Sequence, residues 1–184
     1  MNHHDMTRNM VLAALFAALT AIGAFLQIPT GTVPITLQFL FTALAGVLLG
    51  WKWGAVSQLL YVAIGLLGLP VFTQGGGIGY VLQPSFGFLL GLIPAAAVIG
   101  ALTARRTGYL TVLAAVLVGD LILYAVGVPY MYLILHVYMQ SAKTFPALLA
   151  AMLVYVPGDT LKIVVVTALV PVLRRTLAKA VPNL

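Results

Sequence analysis

Residues 157–164 read PGDTLKIV and lie inside a tract, 146–173, that is otherwise almost entirely apolar. A tract of this length can cross a lipid bilayer as a helix, for which about 20 residues suffice. A charged side chain at the centre of a bilayer carries an insertion penalty of roughly 2.5–3.5 kcal/mol. The stretch therefore predicts a membrane helix, and it raises the question of what Asp159 and Lys162 do within it.

The composition of the whole chain indicates an all-α integral membrane protein. Of its 184 residues, 62% are hydrophobic and 7% are charged, whereas a soluble domain carries roughly a quarter charged residues. Six spans need about 120 residues, which leaves short loops and no room for an additional soluble domain. We therefore expect residues 1–184 to form a single membrane domain.

Two features of the composition exclude classes of function. The chain has no cysteine, so it has no disulfides, thiolate metal sites or cysteine nucleophile. The net charge of +6 is typical of some nucleic-acid-binding proteins, but the basic residues lie between apolar runs, where charge determines membrane topology. We expect neither a nucleic-acid partner nor a metal site.

Proline, glycine and charged residues divide the chain into six apolar segments, each predicted to be a membrane helix. Helices are expected because a backbone that faces lipid must form its hydrogen bonds within its own segment. Residues 129–145 are predicted to lie at the membrane interface, and the last span is predicted to be interrupted at Pro157-Gly158. The predicted spans are approximately 9–28, 35–50, 55–69, 82–104, 109–128 and 146–173.

The basic residues predict that both termini lie in the cytoplasm. Six spans place the termini on one side of the membrane, and that side holds seven of the nine lysine and arginine residues. The other side holds Lys143, and Lys162 lies within a span. Basic loops remain in the cytoplasm, so segments 28–34, 70–81 and 129–145 are expected to face outward. The seven basic residues are Arg8, Lys52, Arg105, Arg106, Arg174, Arg175 and Lys179.

Asp159 and Lys162 are three residues apart, so a helix places them on nearly the same face, where they can pair. Pairing reduces the penalty of burial, yet an apolar pair of similar volume is often as stable. One interpretation is an ion pair that fixes helix packing. We favour a binding or relay site, because ionisable groups within the membrane usually mark substrate paths.

The proline and glycine before this pair also favour a binding site. Pro157 lacks a backbone donor and clashes with the preceding turn, which frees carbonyl groups. Irregular backbone at membrane depth occurs where it is covered by protein or lines a cavity. A helix that restarts after Gly158 presents a partly positive end beside Asp159. A pocket with these groups suits a small polar or anionic solute.

Residues 74–80, QGGGIGY, form a glycine-rich segment on the predicted outer side. Glycine permits positive φ and close approach of the backbone to a ligand. The chain has neither a Gly-x-Gly-x-x-Gly nor a Gly-x4-Gly-Lys-Ser/Thr motif, so it does not bind nucleotide phosphates through either one. The segment is a flexible turn or a lid over a ligand. As a lid, it offers Gly75, Gly76, Gly77 and Tyr80 as candidate binding residues.

Polar residues near the predicted outer ends of the spans are further candidates for ligand contact. Gln38 and Gln83 each carry two amide donors and one acceptor oxygen, although such residues are also common at membrane interfaces. Asp120, toward the middle of the fifth span, is a weaker candidate. The remaining candidates are Thr36, Tyr124 and Tyr155.

Small residues recur at four-residue spacing in the first span, at Ala13, Ala17 and Ala21. In lipid this spacing lets helices approach closely, because packing takes the place of the hydrophobic driving force. The stripe either packs within the chain or docks another membrane protein. We keep docking as a candidate role because the chain shows no energy source of its own to drive uptake.

Several stretches, taken together and in order, resemble one known family over nearly the whole chain. They are VPITLQ (33–38), GLPVF (68–72), GGGIGY (75–80), Pro157-Gly158-Asp159 with Lys162, and the alanine stripe. These resemble the outer loops, the span-six signature and the docking motif of the BioY family. Members of that family are the biotin-specific substrate-binding (S) components of energy-coupling factor (ECF) transporters.

The resemblance implies a six-helix S-component fold in a prokaryotic plasma membrane, with biotin bound near the outer face beneath two outer loops. It implies that Asp159 and Lys162 contact the ligand. It also implies a transmembrane coupling (T) protein and two ABC-type ATPases as partners, and no cofactor besides the transported biotin. The chain departs from the family after Tyr80, where members commonly read GPTGGY and this chain reads QPSFGF (83–88).

Two other classes of function compete with a binding module that has no catalysis of its own. A stand-alone secondary transporter would use Asp159 as a proton or sodium site, since broken helices near the midplane are typical of such transporters. The lack of an internal repeat disfavours it. An intramembrane enzyme needs a nucleophile–base or metal constellation. His136, the only histidine outside the pair His3-His4, has no second ligand at metal-site spacing, so we expect no enzyme activity.

Overall fold

The computed structural model describes residues 3–30 and 33–180, with side chains described for 5–30, 33–174 and 176, and most of these residues are helical. Two two-residue strands, β1 (Gln27–Ile28) and β2 (Ile35–Thr36), pair antiparallel. Short 3-10 segments cover Ile78–Leu82 and Leu153–Tyr155, and a π-helical turn covers Ile134–Tyr138. The α-helices are α1 (His3–Phe25), α2 (Gln38–Leu66), α3 (Phe86–Thr103), α4 (Tyr109–Leu133), α5 (Phe145–Met152) and α6 (Val156–Ala180).

Within the described residues, five helical segments are long and apolar enough to cross a membrane. Their exposed side chains include many large apolar ones, such as Leu15, Leu121 and Leu161. Apolar surface of this kind is stable against lipid and unstable in water. The chain is therefore a multi-pass integral membrane protein. The five segments are Asp5–Phe25, Gln38–Leu66, Phe86–Thr103, Tyr109–Tyr138 and Phe145–Arg174.

The long helix α2 is a hairpin, because the chain reverses at Gly50. This residue has φ of 77° and ψ of 178°, a conformation that glycine adopts most easily. Gln38 and Tyr61 are 23 residues apart, yet their side chains are hydrogen-bonded at 2.8 Å. In a straight helix that separation would be about 34 Å. The connection between the predicted spans 35–50 and 55–69 is thus confined to a break at Gly50.

Glycines let the hairpin pack closely on itself and on α3. A Cβ on Gly54 would lie 2.9 Å from the Cα of Gly46, and a Cβ on Gly100 would lie 2.3 Å from the backbone nitrogen of Trp51. Neither position has room for a side chain. At the same end of the hairpin, Arg174 of α6 donates to the carbonyl of Val47 at 2.7 Å. The reversal is therefore held from α3 and from α6.

Two stretches are more helical than the sequence predicted. α4 continues through Pro129 to Leu133 and on into the π-helical turn, whereas residues 129–145 were expected at the interface. The irregular turn before α6 is Leu153–Tyr155, one turn earlier than the predicted interruption at Pro157-Gly158. The reason is that proline is tolerated in the first turn of a helix, while its ring displaces the carbonyl four residues earlier.

Candidate ligand-binding site

The first turns of α6 carry the two charged side chains at the centre of the site. Lys162 Nζ lies 2.5 Å from Asp159 Oδ1, and both residues are buried. Helical spacing brings them together, as their separation in sequence predicts. Burial makes their pairing necessary, since an isolated ionised group in a dry interior carries a large desolvation penalty.

Two other elements complete the bonding of this pair. The Tyr124 hydroxyl, from α4, donates to Asp159 Oδ2. Lys162 Nζ donates to the backbone carbonyl of Thr36, in β2, at 3.3 Å. The site thus joins α4, α6 and the β1–β2 ribbon. Hydrogen bonds to charged groups are among the stronger ones in proteins, so this arrangement fixes the first outer segment against α6.

The charged pair lines a cavity of about 70 Å³. A second polar region of the cavity wall consists of three hydroxyl groups. The Tyr80 hydroxyl is hydrogen-bonded to that of Thr73 at 2.9 Å and to that of Ser85 at 3.3 Å. The rest of the wall is mostly apolar, which is usual for sites that bind small molecules. The apolar lining residues are Val33, Pro34, Ile35, Phe39, Phe88, Leu89, Leu92, Leu123 and Met152.

A chain of hydrogen bonds links this cavity to the glycine-rich segment. Thr36 Oγ1 donates to Gln38 Oε1 at 2.9 Å, Gln38 Nε2 donates to Tyr61 OH at 2.8 Å, and Tyr61 OH donates to the carbonyl of Val71 at 3.1 Å. Gln38 and Tyr61 are both buried. Their bonds are therefore shielded from water, and they hold residue 71, just before the glycines, in a set position.

The glycine-rich segment is folded back on the end of α2. Gly75 and Gly77 have φ of 107° and 97°, and a Cβ on Gly76 would lie 2.1 Å from the carbonyl oxygen of Leu69. Gly77 N donates to the carbonyl of Gly65 at 2.7 Å. These contacts require glycine at three successive positions. The backbone of the segment is thus held against the end of α2.

The structure brings together seven of the twelve candidate residues named from the sequence, and these seven line the cavity. The glycines lie next to the lining residues Thr73 and Tyr80 and do not themselves face the cavity, and Gln83 is exposed outside it. Asp120 also lies outside the lining. The seven candidates that line the cavity are Thr36, Gln38, Tyr80, Tyr124, Tyr155, Asp159 and Lys162.

Sequence reasoning missed two hydroxyl residues, Thr73 and Ser85, and the aromatic wall residue Phe88. Thr73 and Ser85 flank the glycine-rich segment, and that position was the available signal. Tyr155, also a candidate from the sequence, both lines the cavity and donates to the carbonyl of Val33. It ties the 3-10 segment before α6 to the first outer segment.

The alanine stripe of α1 lies largely inside the chain. Ala13 and Ala17 are 2% and 4% exposed, and Ala21 is half-buried. The reason is that α1 packs on α2 through this face, where Thr20 is hydrogen-bonded to Gln58. The small residues that α1 leaves exposed are Ala14 and Ala18.

Comparison with known proteins identifies the family. The model of the BioY family matches residues 1–179. The chain belongs to the BioY family. Among curated relatives, the biotin transporter BioY of Rhodobacter capsulatus is 42% identical over 188 residues, covering 97% of this chain and 97% of that protein. The probable biotin transporter BioY of Lysinibacillus sphaericus is 53% identical over 141 residues, covering 76% and 72%.

A solved structure extends this similarity to three dimensions. It is a crystal structure of the S-component for biotin from an ECF-type ABC transporter, with a TM-score of 0.83 and 30% identity over 95% of each chain. The BioY transporter of Thermotoga maritima is 36% identical over 159 residues, covering 86% of this chain and 90% of the relative. This BioY-family chain therefore shares both sequence and fold with biotin S components.

Proposed function

We propose that this chain is the biotin-binding S component of an ECF-type vitamin transporter, which captures biotin from outside the cell. The observation that carries the proposal is the buried Asp159–Lys162 pair in the wall of an otherwise apolar cavity. Relatives named as biotin transporters support it. The chain acts as a binding module, and no catalysis is assigned to it.

The chemistry of the cavity suits biotin. The ligand has a carboxylate, a ureido group with two N–H donors and one carbonyl, and an apolar thioether ring. Lys162 can donate to an anionic or carbonyl oxygen, and Asp159 can accept a ureido N–H in a charge-assisted hydrogen bond. The apolar walls enclose the ring. Hydroxyls of Tyr80 and Ser85 offer further hydrogen bonds.

We assign six membrane crossings to the chain, with both termini in the cytoplasm. The hairpin at Gly50 supports this count, since it divides α2 into two antiparallel halves. The distribution of basic residues supports the orientation. In this arrangement the glycine-rich segment and β1–β2 lie on the outer side, where biotin arrives.

The proposed partners are a T protein and two ABC-type ATPases, which drive release inward. The proposed docking surface is α1. Because Ala13 and Ala17 are buried here, the small residues of α1 that are open to a partner are Ala14 and Ala18, beside the half-buried Ala21. Small residues on that face permit close approach of a second helix.

The test of the proposed function is calorimetric titration of the detergent-purified protein with biotin, riboflavin and thiamine. Tight binding of biotin alone is expected. Binding of another vitamin in preference to biotin would overturn the assignment. Liposomes that contain only this chain test the stand-alone alternative, because biotin uptake without partners or ATP would favour a secondary transporter.

A further inference from the structure

Asp120, on α4, is a partly buried acidic residue that the proposed binding mechanism does not use. Its Oδ1 atom is buried and has no hydrogen-bond partner among the described residues. Asp120 lies one helical turn from Tyr124, whose hydroxyl is bonded to Asp159, and it is within electrostatic range of Asp159 and Lys162. The Asp120 carboxylate therefore interacts electrostatically with Asp159 and Lys162, although it does not line the cavity.

The three charged groups do not balance. Asp120 and Asp159 carry two negative charges when ionised, and Lys162 supplies one positive charge. Lys162 is already bonded to Asp159 and to the carbonyl of Thr36, so Asp120 has no bonded cation in the described chain. A carboxylate left unpaired in a low-dielectric interior is disfavoured, so any further negative charge in the site favours a proton on Asp120.

Among the described residues, the ionisable groups near Asp120 lie on α4, on α6 and on the 3-10 segment before α6. Tyr124 shares its helix, and Asp159 and Lys162 face it from α6, with Tyr155 beyond Tyr124. The segments α3 and α5 carry no ionisable side chain. Tyr61 of α2 is bonded to Gln38 and to Val71 instead. Among these groups, Lys162 is the one cation that faces Asp120.

We infer that Asp120 takes up one proton when biotin binds, so that capture of the vitamin is linked to protonation of this carboxyl group. The inference rests on the proposed function. A ligand oxygen that bonds Lys162 competes with Asp159 for the only cation among the described lining residues, and an anionic ligand adds a further negative charge. One added proton on Asp120 offsets that change.

The chemistry of the site indicates that the ion taken up with biotin is a proton and not a sodium ion. A sodium ion needs several oxygen ligands, whereas Asp120 supplies a single carboxylate group. No group of three or more His, Cys, Asp or Glu side chains in the described part of the chain is placed to hold a metal. A proton needs only one carboxylate oxygen, and the buried Oδ1 atom of Asp120, which has no hydrogen-bond partner among the described residues, can supply it.

The test is calorimetric titration of the purified full chain with biotin in buffers of different ionisation enthalpy, from about pH 6 to about pH 8.5, where biotin's own carboxylate stays ionised. The inference predicts that the wild-type protein takes up close to one proton per biotin in part of this range. Because binding takes up a proton, the affinity for biotin then falls by up to about tenfold for each unit that the pH rises within that part of the range. In Asp120→Asn the proton uptake is lost and the affinity no longer depends on pH.

Three comparisons make the result decisive. Asp5→Asn, which changes the third acidic residue of the chain, should leave proton uptake unchanged, and so should replacement of sodium by choline. An infrared difference spectrum of the wild type should show a protonated carboxyl band that appears with biotin and is absent in Asp120→Asn. Biotin binding without proton uptake, or uptake that persists in Asp120→Asn, overturns the inference and leaves the proposed function intact. A protein that does not bind biotin overturns the proposed function itself.

Discussion

Lys162 Nζ lies 2.5 Å from Asp159 Oδ1, and the two side chains are each only 9% exposed. Their pairing alone does not explain their presence, because an apolar pair of similar volume is often neutral or more stabilising at such a position. Both groups line the cavity. A functional role therefore accounts for them better than a role in packing.

We expect Lys162→Ala to weaken biotin binding by at least tenfold, about 1.4 kcal/mol. The reason is loss of the cation that donates to a ligand oxygen. Calorimetry measures the change, and Lys143→Ala, at an exposed lysine, is the matched control. Since Lys162→Ala leaves Asp159 unpaired, the double variant Asp159→Asn/Lys162→Met separates stability from binding. Unchanged affinity in the folded double variant would remove the pair from the site.

Tyr124→Phe should weaken biotin binding several-fold while the protein stays folded. The variant loses the hydroxyl that donates to Asp159, and hydrogen bonds to charged groups contribute about 1.5–3 kcal/mol. It keeps the aromatic ring, which packs edge-on against Phe88 with the two ring centroids 6.0 Å apart. Tyr132→Phe is the control, since Tyr132 stacks on His136 outside the cavity lining. Equal affinities for the two variants would show that Tyr124 does not position Asp159.

Gly76→Val is expected to speed the dissociation of biotin several-fold. A side chain at this position would meet the carbonyl of Leu69, so the segment must move, and with it the lining residues Thr73 and Tyr80. A chase experiment with labelled biotin gives the off-rate. Gly79→Ala is the control, because a Cβ there meets nothing within 4 Å. An unaltered off-rate in Gly76→Val would mean that the segment is only a connector.

Two neighbouring alanines on α1 separate docking from folding. Ala18→Leu, on the exposed side, should block co-purification with the T protein and ATP-dependent uptake, and should leave biotin binding intact. Ala17→Leu, at a buried position, should instead destabilise the chain by about 1–3 kcal/mol through overpacking. Thermal unfolding and co-purification measure the two effects. Assembly that survives Ala18→Leu would place the docking surface elsewhere.

Hydropathy and local spacing predicted the features that depend on neighbouring residues. The apolar runs predicted membrane helices, because lipid requires each segment to satisfy its own backbone. The spacing of Asp159 and Lys162 predicted that they can pair, and the structure contains that ion pair. Gly50 lies in the turn that the sequence predicted, although the break is shorter than expected.

Features that depend on distant contacts could not be predicted. Tyr155 and Val33 are 122 residues apart, and their hydrogen bond follows from the way whole helices pack. The same holds for Ala13 and Ala17, since a stripe of small residues serves an internal or an external contact equally well. Thr73 and Ser85 become cavity residues because Tyr80 bonds both of them.

The most direct measurement is a structure of the protein with biotin bound. We predict that biotin occupies the cavity, with Lys162 Nζ or an Asp159 carboxylate oxygen within hydrogen-bond distance of its ureido or carboxylate group. Biotin bound at another place, with both charged side chains unchanged and out of its reach, would contradict the account.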